Sequence, residues 1–93
     1  GSAREIHYRV IRATLLRDGL NNCKDALNDY RHLASVTEEP QRSEALAWLG
    51  LCASGVGDAQ TAKSAFSSLN PRLLPDALKA RVEERSIALR ALP

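Results

Sequence analysis

Two cysteines, two histidines and two adjacent acid pairs are the side chains here with chemistry to offer. Cys23 and Cys52 form no CxxC pair, and neither His7 nor His32 stands at metal-ligand spacing from a cysteine. A zinc site needs such clustered ligands, so no metal and no cofactor are expected. Both cysteines fall in amphipathic stretches. Buried free thiols are the expected state, with a disulfide or redox role as the other reading. Glu38-Glu39 and Glu83-Glu84 are sequence neighbours. On a helix such neighbours point about 100° apart, which does not set two carboxylates across a substrate. No phosphate-binding glycine loop, GxGxxG or GxSxG occurs, so the usual nucleotide and acyl-transfer signatures are missing. The histidines belong to different apolar segments, with nothing to orient either. An enzyme is the least favoured reading.

Charge points away from nucleic acid. The 93 residues carry 13 basic and 11 acidic side chains, a net +2. A nucleic-acid binder usually concentrates far more positive charge. Arg4, Arg9, Arg12 and Arg17 do make the first segment basic. That favours either an anionic partner or a solvated face whose aliphatic stems lie on the helix. Trp48 also has two readings. It sits at the margin of an apolar stripe, where it is either a binding anchor or a residue packed against the first or last helix.

These residues must be positioned by helices. Hydrophobic residues make up 44% of the chain and aromatics only 4%, a mix that suits close helix packing. No segment alternates with period two for long. Five helical segments can be drawn instead. The first covers about 3–18 and ends at Gly19, a good left-handed stop. The second covers about 22–35, with Cys23, Ala26, Leu27, Tyr30, Leu33 and Ala34 on one face. The third opens at Thr37-Glu38-Glu39-Pro40, where proline suits the first turn and the acids suit the positive end of the helix dipole. It runs to about Ser54. Gly55-Val56-Gly57-Asp58 then reads as a tight turn, with glycine for left-handed backbone and Asp58 as the next cap. The fourth helix ends near Leu69, before Asn70-Pro71. The fifth starts at Pro75 and runs to about Ala91, with Leu74, Leu78, Val82, Ser86 and Leu89 as its stripe.

The pattern repeats. Ala26 and Ala62, Tyr30 and Phe66, and Leu33 and Leu69 are each 36 positions apart. Ile11 and Leu49, Leu15 and Ala53, and Gly19 and Gly57 are each 38 apart. Leu49-Gly50, Gly57, Ala62, Phe66 and Leu69 make this resemble the tetratricopeptide repeat. The chain departs from that pattern where Trp48 falls two residues late, Ala53 replaces an aromatic and Arg12 replaces a small residue. The resemblance implies an all-α fold of about five helices in a single domain. Hairpin 1 would cover about 3–35, hairpin 2 about 39–69, and a capping helix about 75–91. It also implies a concave groove lined by the first helix of each hairpin. Glu44, Ala47, Leu51 and Ser54 map there from the third helix, with Trp48 beside them. Ile6, Arg9, Ala13 and Leu16 map there from the first.

The function implied is a non-catalytic protein–protein interaction module, an adaptor or assembly scaffold. It would bind a peptide or amphipathic helix of another protein. Ile11-Arg12, Gly19, Ala26-Leu27 and Trp48-Leu49-Gly50-Leu51-Cys52 are also similar to small type III secretion chaperones of bacteria, which implies a helical client. A nucleic-acid-associated domain using the first-helix arginines is a third reading. Pairing with a second copy as a homodimer stays open. The longest apolar runs are far too short to cross a membrane. With no signal peptide visible and free thiols expected, a cytoplasmic protein is anticipated.

Overall fold

A computed structural model describes residues 23–91 of the chain. The first expected helix, with Ile6, Arg9, Ala13 and Leu16, lies outside the described residues. The other four segments are helical, so among the described residues the fold is all-α. They are α1 (Cys23–Val36), α2 (Gln41–Gly55), α3 (Ala59–Ser68) and α4 (Asp76–Arg90). A short 3-10 turn at Pro71–Leu73, not foreseen, links α3 to α4. α1 and α3 pack on α2, and α4 lies across both α2 and α3.

The helix faces follow from their spacing. Ala26, Tyr30 and Leu33 recur at i, i+4 and i+7 on α1 and are buried. Ala62 and Ala65 are buried on α3, and Leu78, Val82 and Leu89 on α4. α2 differs because neighbours surround it. Ala45, Leu46, Ala47, Leu49, Cys52 and Ala53 are all buried, on more than one face. A helix that is apolar nearly all round is the expected centre of a small bundle.

The ends of α2 are tied by polar groups. Glu39 accepts a bond from the Ser43 backbone N–H at 2.8 Å. The Ser43 hydroxyl lies 2.9 and 2.8 Å from the two Glu39 carboxylate oxygens and donates to that group. It also accepts from the Asn70 N–H at 3.0 Å. The acid foreseen at this helix start thus satisfies one of its orphan donors. Ser43, 0% exposed, staples the start of α2 to the loop after α3. Ser43→Ala leaves the Asn70 N–H without this acceptor. Asn70 is exposed, so water can take over its N–H and the loss is that of an ordinary hydrogen bond, about 0.5–1.5 kcal/mol. For a domain of this size that is a fall of several degrees in thermal midpoint, checked by circular dichroism melting.

At the other end Gly57 adopts φ +86°, the left-handed conformation glycine was expected to supply. Asp58 caps α3 by accepting from the Thr61 N–H at 3.1 Å. The Thr61 hydroxyl and that backbone N–H hold the Asp58 carboxyl below its ordinary pKa, with a smaller contribution from the Arg31 charge.

Cys23 and Cys52 are joined in a disulfide, with Cα atoms 5.1 Å apart. This corrects the expectation of free thiols. The bond ties the first turn of α1 to the last turns of α2, so the two helices run antiparallel. That juxtaposition depends on tertiary geometry, which two cysteines 29 positions apart do not reveal in sequence.

Candidate groove between the third and fourth helices

The side of α2 expected to line a groove is only partly open. Glu44, Trp48, Leu51 and Ser54 are half-buried. Ala47 is 0% exposed and belongs to the main hydrophobic cluster. It therefore has no surface to offer a partner and moves from the groove to the core. The reason is the central place of α2: a residue facing out on an edge helix faces a neighbour here.

α4 covers part of the same side. The Arg81 guanidinium lies over the Trp48 ring, 5.1 Å from its centroid, a cation–π contact. Ser54 shares a small recess of about 200 Å³ with Arg85 and Ala88. Trp48 thus meets α4 early and Ser54 meets it late, so α2 and α4 run in the same direction. The hollow foreseen along α2 is narrowed by the chain's own last helix. Trp48 takes the packed role at least on the face that Arg81 covers.

Among the described residues, the other flank of α4 is open. Two adjoining recesses of about 580 and 380 Å³ run between α3 and α4. Phe66, Leu69, Val82 and Leu89 supply their apolar walls, with Lys63, Glu83 and Arg90 among the charged groups beside them. Ile87 borders the smaller recess and is 61% exposed. No α1 residue lines either one.

Phe66 reaches this position because α2 carries no side chain beneath it. A Cβ placed on Gly50 would come within 2.7 Å of Phe66 Cδ1 and 2.8 Å of its Cζ. Carbon atoms do not approach so closely, so the ring must move if Gly50 gains a methyl. Ala62 is also fully buried, in a cluster with Ala53 and Leu89 against which Phe66 packs. At Gly50 the missing side chain leaves room for the Phe66 ring.

A substitution separates these effects. Gly50→Ala gains about 1 kcal/mol of helix propensity, while overpacking against the ring costs roughly 1–3 kcal/mol. The expected net result is a loss of about 1 kcal/mol. In a Phe66→Ala background the clash is gone and the same change becomes stabilising. A urea-denaturation double-mutant cycle reads that change of sign. An unchanged effect in both backgrounds rules out the contact.

Hydroxyls of Ser67 and Ser86 and the charged groups Lys63, Glu83 and Arg90 are the polar side chains that line the groove. Among the described residues, no cluster of His, Cys, Asp and Glu is placed to hold a metal. None of their helices is long and apolar enough to cross a membrane.

Neither the Phe66 floor as an open wall nor Ile87 as its rim was read from sequence. Ile87 lies five residues after Val82, far round α4 from the buried stripe, on the face that carries Glu83 and Glu84. A lone aliphatic residue on a charged face is ordinary by itself; its place beside the recess is what sets Ile87 apart. Comparisons with protein-family models, with curated proteins and with solved structures give no match.

Proposed function

We propose that this domain is a non-catalytic protein–protein interaction module, acting as an adaptor or assembly scaffold, with the α3–α4 groove as its docking surface. One observation carries the reading: Ile87, 61% exposed, stands on the rim of a recess that the half-buried Phe66 ring reaches, above the buried Leu69, Val82 and Leu89. Such a recess suits the apolar side of a helix or an extended segment. The tetratricopeptide-like pattern supports the same class of function, since helical hairpins of that kind serve to hold other polypeptides. The groove proposed here differs from the one that pattern implies along α2.

Affinity capture with the full chain tests this reading. Bait carrying Ile87→Glu should lose specifically bound protein, whether another polypeptide or an untagged copy of the chain. Bait carrying Lys24→Glu, on exposed α1 surface, should keep it. An identical set of bound proteins on both baits would sink the groove as the docking surface. The nucleic-acid reading depends on Arg4, Arg9, Arg12 and Arg17, all outside the described residues.

A further inference from the structure

The rim of the groove carries a charge pattern that matches itself. Glu83, Ile87 and Arg90 are all exposed on α4. Glu83 precedes Ile87 by four residues and Arg90 follows it by three, so the three lie on one flank at one-turn intervals. An acid thus sits one turn before an apolar knob and a base one turn after. Turn a second copy about a two-fold axis beside Ile87, and its α4 runs the opposite way. Arg90 of the second copy then stands against Glu83, Glu83 of the second copy stands against Arg90, and the two Ile87 side chains meet at the axis. A parallel arrangement would set like charges opposite each other.

The larger recess strengthens the match. Lys63 and Arg90 both line it, with no carboxylate among its lining residues. Glu83 of the second copy, brought to Arg90, supplies the missing negative charge. The apolar side of the pairing is supplied by the half-buried Phe66, which lies beside Ile87 in the smaller recess.

We infer that the occupant of the α3–α4 groove is a second copy of this chain, docked through antiparallel α4 helices in an isologous contact. The inference rests on the docking reading above and names its partner. Only about two turns of one helix and the groove edge take part. Interfaces this small are transient, so the pair forms and separates with protein concentration.

Sedimentation equilibrium of the full, oxidised 93-residue chain tests it, from roughly 10 μM to roughly 1 mM, where small interfaces titrate. The weight-average mass should climb from 10.2 kDa toward twice that value. Ile87→Glu should stay at the monomer mass with an unchanged circular dichroism spectrum, because Ile87 is mostly exposed. Glu83→Arg and Arg90→Glu should each raise the dissociation constant about tenfold, since each reversal turns two symmetry-related attractions into repulsions. The double reversal should return to within about threefold of the parent. A monomer mass across the range, or a double variant as weak as the singles, overturns the inference. If the chain is monomeric while Ile87→Glu still abolishes capture of a different protein, the second copy is ruled out and the docking reading stands. If Ile87→Glu alters neither measurement, both fall.

Discussion

Reducing the Cys23–Cys52 bond is expected to lower the thermal midpoint of this domain by roughly 15–25 °C. The bond joins residues 29 positions apart. Cross-linking a loop of that length removes conformational freedom from the unfolded chain worth about 3–4 kcal/mol. Small helical domains are marginal to begin with, so a change of this size is a large share of total stability. The comparison is melting with and without a phosphine reductant, followed by circular dichroism. A Cys23→Ser/Cys52→Ala double variant should melt near the reduced protein, somewhat lower because the Cys52 sulfur, 1% exposed, leaves a small cavity. That variant should also ignore the reductant. Two free thiols counted in protein never exposed to reductant would remove the bond and this prediction together. The bond has a bearing on location as well. Disulfides persist in oxidising surroundings, so the support that free thiols lent to a cytoplasmic setting falls away.

Local signals in the sequence carried much of the described fold. The apolar spacing of Ala26, Tyr30 and Leu33 drew α1, and that of Leu78, Val82 and Leu89 drew α4, because an edge helix buries one stripe and the period of that stripe is visible. Gly57 and Asp58 marked the α2–α3 turn because few residues accept left-handed backbone or cap a helix well. Glu39 was legible as serving the start of α2, but its bonds to Ser43 were not, nor was the tie from Ser43 to Asn70. Those depend on where the chain returns after α3. The same limit hid the disulfide. The groove was misplaced for a related reason. On α2 the apolar pattern is nearly continuous, so it could not say which face met a neighbour and which met solvent. Gly50 and Phe66 stood out only as members of the repeat pattern, yet the ring packs at Gly50 and also forms a wall of the recess. Ile87 escaped notice because it breaks the stripe of its own helix.

Ala47 and Leu51 offer the sharpest test of how α2 is surrounded. Both were expected to face a groove, where glutamate would block a partner and spare the fold. The structure separates them: Ala47 is 0% exposed and Leu51 half-buried. Glutamate at Ala47 adds several heavy atoms to a filled site and sets a carboxylate away from water. Desolvating such a charge without a partner costs several kcal/mol even after relaxation, and overpacking adds roughly 1–3 kcal/mol. Against a total stability of about 5–15 kcal/mol, Ala47→Glu should leave much of the chain unfolded at room temperature, seen as lost helical ellipticity. At Leu51 the longer side chain can carry its carboxylate to the surface and lose only part of the apolar contact. Leu51→Glu should therefore cost about 1–2 kcal/mol, from partial loss of side-chain burial, and retain helicity with a lowered melting midpoint. The difference between the two variants measures burial at Ala47, because the introduced group is the same. An Ala47→Glu protein that melts like the parent would put Ala47 back on the surface. It would also reopen the side of α2 as the place where a partner binds.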